Sequence, residues 1–445
     1  MLRIFIAASF LMGVAMAADS PAPATFNKEV LPILQKNCQE CHRPGEVAPM
    51  SFLSYESTRP WAKAIKAAVA TQKMPPWFAD PKYGHFSNER KLTEAQIKTL
   101  VAWADSGAPE GDAKDRPAPM QFQDGWNIKP DKVIEMPTEF HVPASGTIEY
   151  QYMLVKGDFF PEDTWVSAAE MRPGNSKVVH HGEVWVLPPG SKWMADAVPG
   201  VAYPQSEMKK QPSDDTDILG KFNPGVGAQD FVLGGDSAKF VPKGSNLVFE
   251  IHYTAIGQAT TDRTKVGIVF AKGTHSTRYF TSYGPQANNL VIPARDGNAE
   301  VVGEITMASD AKLVYAQPHM HLRGKDYELR LIYPTGESET VLKVKWDFNW
   351  QVGYDFEHPI EVPKGTRLVG ISHFDNSANN AFNPDPNKEI RWGLQNWDEM
   401  SNCFMGFVFD TKADPKKLHH RSGYSLLPVG QPGPTLSALA SVATK

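Results

Sequence analysis

The stretch Cys38-Gln39-Glu40-Cys41-His42 has the form C-x-x-C-H. Two thiols at that spacing reach the two vinyl groups of one haem, and the imidazole that follows is placed to take the iron. A redox dithiol and half of a zinc site are the rival readings, but neither a βαβ pattern nor a second cysteine pair supports them. One covalent haem c is therefore expected. Its sixth ligand is expected to be Met74, in "QKMPPWF" (72–78), where two prolines stiffen the loop that presents the thioether; Met50 and His85 are the alternatives. His/Met ligation raises a haem potential and suits electron transfer.

Further along, three strand-like stretches carry histidines. "VVHHGEVWV" (178–186) holds His180 and His181 side by side, although neighbours on a strand point to opposite faces. In "NLVFEIHYT" (246–254), Glu250 and His252 share one face while Phe249, Ile251 and Tyr253 share the other. "QPHMHLRG" (317–324) holds His319 and His321 at i and i+2, the spacing that puts two imidazoles on one side of a strand. A lone strand histidine is more often a satisfied polar group than a ligand. These three stretches in order, followed by the methionine of "WDEMSN" (397–402), form a more specific series.

The elements that must position these groups change character along the chain. From 20 to 110 the period is helical: Phe26, Val30, Ile33 and Leu34 fall on one face, and so do Trp61, Ile65 and Val69. "TEAQIKTLVAWADSG" (93–107) opens with a capping box, Thr93 and Gln96. Residues 111–130 read as a linker. The period then becomes two, in short runs between turns, which predicts antiparallel β-sandwich domains at 131–290 and 291–427. Residues 428–445 read as a flexible tail, and the adjacent His419 and His420 as solvated. The first 17 residues, with Arg3, an apolar run and Ala15-Met16-Ala17, have the form of a signal peptide, so a periplasmic or secreted protein is expected. A formal net charge of −5 without a basic run argues against nucleic acid, and no other apolar run is long enough to span a membrane. With Cys38 and Cys41 assigned, Cys403 is left alone, so no disulfide is expected.

In order and spacing, "VVHHGEVWV", "VFEIHYT", "PHMHLRG" and "WDEMSN" resemble the copper motifs of the type II copper, ascorbate-dependent monooxygenases, the peptidylglycine and dopamine β-monooxygenase family, over about residues 135–425. The helical part resembles a class I monohaem cytochrome c. The resemblance implies a multidomain chain: a small all-α class I cytochrome c domain, then two antiparallel β-sandwich (jelly-roll-like) domains carrying two coppers that face each other across a solvent-filled cleft. His180, His181 and His252 match the electron-transferring copper; His319, His321 and Met400 match the copper that takes dioxygen. Imidazole and thioether are soft ligands that suit Cu(I). Met405, in phase with Cys403, Phe407 and Phe409, reads as core instead. Gln317 stands where peptidylglycine monooxygenase has an arginine that helps hold the substrate carboxylate. Asn402 is kept, and Phe404 replaces a tyrosine. Glu250 and His373 are candidate outer groups around the sites. Trp346, Phe348 and Trp350 alternate as if along one strand face.

The function implied is hydroxylation of a C–H bond of a small organic substrate by dioxygen, with electrons reaching copper through the haem from a periplasmic donor. A non-hydroxylating haem and copper electron-transfer or copper-binding protein is the alternative, and a metal-free binding sandwich the third. Sequence leaves open the substrate and the direction of electron flow. One geometric demand follows from the ligand set: for His180 and His181 to share a metal, their strand must twist, bulge or end between them.

Overall fold

The computed structural model describes residues 24–421 apart from 47, 123–124, 209–215 and 224–225. The signal peptide and the tail of the sequence reading lie outside the described residues. The described residues are predominantly β, with 37% in strands against 13% in helices. This corrects the expected architecture: among the described residues, no sizeable all-α class I cytochrome c domain precedes the sheets.

Local chemistry explains part of the shortfall in helix. Pro32 has no N–H to donate to an i−4 carbonyl, and the turn before it, Phe26–Val30, is wound in the wider π register, with Leu31 N–H bonded to the Phe26 carbonyl. It runs into the seven-residue helix Leu31–Asn37. The capping box of Thr93 and Gln96 is present and opens Glu94–Asp105, at twelve residues the longest helix among the described residues. Phe26, Val30, Leu34, Ile65, Val69, Leu100 and Trp103 form a small buried cluster, whereas Trp61 is exposed.

Three main sheets form the body. A long sheet runs in the order Lys132–Glu135, Lys265–Phe270, Thr164–Arg172, Ser237–Val241, Thr277–Tyr283, Asn402–Asp410, Ala311–His319, Tyr354–Val362, with Gln229–Asp230 beside Thr164–Arg172. It crosses the expected boundary near 290, so strands from either side of that position share one sheet. A first cover sheet contains Ala202–Pro204, Gln151–Val155, Asn246–Tyr253, Val179–Leu187 and Asp217–Phe222; a second contains Ser338–Lys345, Gly324–Ile332, Arg367–Phe374, Ala299–Met307 and His419–Arg421.

The two cover sheets use opposite faces of the central strands. On Asn402–Asp410, Cys403, Met405, Phe407 and Phe409 pack into the core under the second cover sheet, and Val408 into the core under the first. A strand buried on both faces reads as an unbroken apolar run, as "NCFMGFVF" does. Ala311–His319 behaves likewise, with one irregularity: its register slips between Leu313 and Tyr315. Leu313 and Ala316 belong to the second core, Val314 and Tyr315 to the first. That slip sets the phase for the rest of the strand and turns Tyr315, Gln317 and His319 toward the first cover sheet.

Candidate metal centre

His252 pairs directly with His181, and the next pair is Tyr253 with Val179, so His180 is the extra residue of a β-bulge. The bulge brings both neighbours to one side. The ligand atoms of His180, His181 and His252 all lie within 4.8 Å of one another. Their ring centroids are 5.1 to 5.7 Å apart, with planes inclined by 62 to 84°. His252 Nδ1 and His181 Nε2 are 3.3 Å apart. Two nitrogens bound to one tetrahedral metal at about 2.0–2.1 Å stand about 3.3 Å from each other. Tyr150 stacks on His252 at 4.5 Å, and its hydroxyl lies 3.0 Å from His181 Nε2. Burial pushes the His252 imidazole down to about 3, so the ring is a neutral potential ligand.

His319 ends its strand and His321 follows the buried Met320; the two rings are 5.2 Å apart and perpendicular. His319 Nδ1 bonds Gln351 Oε1 at 2.7 Å. His321 is 1% exposed; the Asp398 backbone is within hydrogen-bonding reach of its ring, which leaves one ring nitrogen without a partner. An unsatisfied buried polar group costs about 1–3 kcal/mol, and a metal would remove that cost. Buried Glu399 fixes the local chain: its two oxygens accept from the backbone N–H of His321 at 2.8 Å and Arg323 at 2.6 Å. This carboxylate ties the H-x-H turn to the segment carrying Met400, which is itself buried.

The two histidine sets meet. His181 and His319 centroids are 5.9 Å apart, where the resemblance implied a solvent-filled cleft. Residues 346–350 are also not a strand: Ser338–Lys345 ends before them, and they loop over the histidines. Trp346 Nε1 donates to the His321 carbonyl at 3.0 Å, and Phe348 stacks on His180 at 5.2 Å.

The remaining candidates are placed as follows. Glu250 shares the His252 side of its strand, while Phe249, Ile251 and Tyr253 lie in the core. Its carboxylate accepts from Trp185 Nε1 at 2.8 Å and Tyr152 OH at 3.0 Å, and burial pushes it up to about 7. Gln317 is fully buried and engaged: Oε1 accepts from Lys221 Nζ at 2.7 Å and Tyr315 OH at 2.8 Å. Phe404 lies 4.7 Å under the Lys221 ammonium and 6.1 Å from the His319 ring. Asn402 Oδ1 accepts from the Cys403 N–H. His373 is on the outer face of the second cover sheet, bonded to Asp326 at 2.6 Å with Glu300 3.7 Å away, and is not brought to the cluster. His419 is half-buried and hydrogen-bonded to Ser282, not solvated.

Cys38, Cys41 and Cys403 are all unpaired. The first two occupy one turn, with His42 N–H bonded to the Cys38 carbonyl at 2.9 Å. Burial pushes the thiols up to about 12 and about 11. His42 stacks on Phe52 at 4.2 Å, and Cys41 lines a cavity of about 60 Å³ together with Met171 and Asn223. A second cavity, of about 270 Å³, shares Glu40, Arg90 and Asn127 with it. Two unpaired thiols and an imidazole in one turn are the groups to which a covalent haem attaches, but a void of about 60 Å³ does not by itself hold one. Met74 is half-buried just past helix Ala62–Ala70; Met50, not Met74, packs with Cys38 against the helical cluster.

Sequence reading missed three side chains that organise the site: Glu399, Gln351 and Lys221. Lys221 had a signal, a single charge within the apolar run "ILGKF". Gln351 had none.

Among the described residues, no helix is long and apolar enough to cross a membrane. No protein-family model matches the chain, and no curated protein does. Among solved structures, PNGF-II is similar at 11% identity, covering 73% of this chain and 71% of that one, with a TM-score of 0.28. The infectious bursal disease virus Gx strain is similar at 9% identity, covering 67% and 78%, with a TM-score of 0.19. The PBSX exported protein XepA is similar at 10%, covering 55% and 87%, with a TM-score of 0.17. Likenesses this slight bear on neither fold nor function.

Proposed function

We propose that this chain is an exported copper monooxygenase that hydroxylates a C–H bond of a small organic substrate. One copper is held by His180, His181 and His252, a second by His319, His321 and Met400. A haem c on Cys38, Cys41 and His42, with Met74 as sixth ligand, takes electrons from a periplasmic donor. Bound copper would supply one-electron redox chemistry toward dioxygen. The chain's own contribution is to orient neutral imidazoles and exclude water: the bulge gathers the first three, Glu399 fixes the turn of His321, and the 346–351 loop covers both sets.

The observation that carries this reading is the continuity of five imidazoles in one cluster, with a buried ring nitrogen of His321 left without a partner. The family resemblance supplies copper and the reaction class. The test is anaerobic reduction of the copper- and haem-loaded protein, then addition of isotopically labelled dioxygen with a broad set of small organic compounds. The expected result is haem oxidation with label in a hydroxylated product. Haem oxidation without labelled product from any compound would contradict it. The 5.9 Å approach of His181 and His319 favours the second reading, a non-hydroxylating haem and copper electron-transfer protein, because rings in contact leave no substrate space between them.

A further inference from the structure

One side chain of the 346–353 segment touches both halves of the molecule. Gln351 is 1% exposed. Its Oε1 lies 2.7 Å from His319 Nδ1 and accepts from Asn223 Nδ2 at 3.2 Å, and its backbone carbonyl accepts from Gln317 Nε2 at 2.9 Å. Asn223 directly follows strand Asp217–Phe222 of the first cover sheet, and Gln317 and His319 belong to the long sheet. The amide is thus gripped from two sheets. In this orientation of the two amides Asn223 Nδ2 donates to the same atom, and a Gln351 oxygen 2.7 Å from His319 Nδ1 can only accept, an arrangement that goes with the imidazole proton on Nδ1. The Nε2 lone pair of His319 is then the one left for a metal.

We propose that Gln351 is a positioning residue: it locks His319 in the Nδ1–H tautomer with Nε2 as the coordinating atom, and Asn223 carries that constraint across from the first cover sheet. This inference rests on the metal-centre reading above and deepens it. The identity of the acceptor also matters. A carboxylate at this position would add negative charge next to the imidazole and favour Cu(II), whereas a carboxamide fixes the same tautomer and leaves the ligand set neutral, which favours Cu(I) in a buried site.

Four full-length proteins test this: wild type, Gln351→Leu, Gln351→Glu and Asn223→Ala. The readouts are the ring ¹⁵N shifts of His319 in the metal-free protein, Cu(I) affinity by competition with a chromophoric chelator, and the copper midpoint potential. Gln351→Leu is expected to mix the His319 tautomers and weaken one of the two coppers about 10- to 100-fold while sparing the other. Gln351→Glu is expected to keep the Nδ1–H tautomer and the affinity but lower the potential, which a merely structural role would not do. Asn223→Ala is expected to give a smaller loss at the same copper. Wild-type tautomer and affinity in Gln351→Leu would overturn the proposal. If that variant does not fold, an unshifted potential in Gln351→Glu together with an unchanged Asn223→Ala overturns it equally. If wild type takes up no copper, the metal-centre reading falls, and the tautomer readout alone decides the inference.

Discussion

At the scale of residues, the site is a set of neutral imidazoles made available by burial. Local spacing made most of them legible in the sequence: H-H, H-x-H and C-x-x-C-H each put ligands within a few residues of each other. The groups that hold them were not legible, because their partners are distant in the chain. Lys221 meets Gln317 across 96 positions, and Asn223 meets Gln351 across 128. Burial pushes His319 down to about 4 from 6.5. The unfolded chain therefore binds a proton near pH 6.5 that the folded state refuses until about pH 4, and His319's contribution to stability is present above 6.5 and lost as pH falls through that window. In metal-free protein, the urea-measured stability of wild type relative to His319→Gln should fall between pH 7 and 4.5 by on the order of 3 kcal/mol. A difference that does not change with pH would mean that the ring is not held neutral by burial.

At the scale of elements, one bulge and one loop do most of the positioning. The two adjacent histidines demand an irregularity at His180, and the register slip provides it; the alternation of Trp346, Phe348 and Trp350 reads as a strand but belongs to a loop, because alternating aromatic residues do not by themselves distinguish a strand from a turn that uses each ring separately. Between His181 and Glu183 the two strands approach closely: a Cβ on Gly182 would stand 2.9 Å from the Glu250 carbonyl and 2.6 Å from Met171 Cε. The methionine can move, but the carbonyl belongs to the pairing that holds His252. Gly182→Ala should therefore cost about 1–3 kcal/mol and weaken metal binding by His180, His181 and His252 while leaving the His319 and His321 set intact. Chemical denaturation and metal titration check this; wild-type metal affinity at both sets would show that the close approach does not position the triad. Removing the Phe348 ring with Phe348→Ala should likewise loosen the His180 ligand first, read as a change in the copper EPR spectrum of the triad alone.

At the scale of the whole molecule, the C-x-x-C-H turn is bound to the β body. Arg172, at the end of a long-sheet strand, bonds Glu46 at 2.5 Å and Glu170 at 2.8 Å, and Arg43 bonds Glu46 at 2.8 Å. Further on, Ala79 bridges to Val344 and Phe86 to Phe356, the edge strands of the second cover sheet and the long sheet, and Trp77 and Phe86 pack on Tyr354. Helical periodicity said nothing of these contacts, since edge pairing is set by the sheets and not by the segment that covers them. Wild type should melt in one transition by helix and tryptophan signals alike. Trp77→Ala with Phe86→Ala should cost about 2–3 kcal/mol for each ring and separate the two signals; a single, unshifted transition would show that the docking is not energetically coupled. The central claim, that the histidines and Met400 are two copper sites, is tested most directly by metal analysis with EPR of wild type, His181→Ala and Met400→Ala. Two coppers in wild type, with a different copper signal lost in each variant, is the expected result, and no copper uptake by the folded wild-type chain would contradict it.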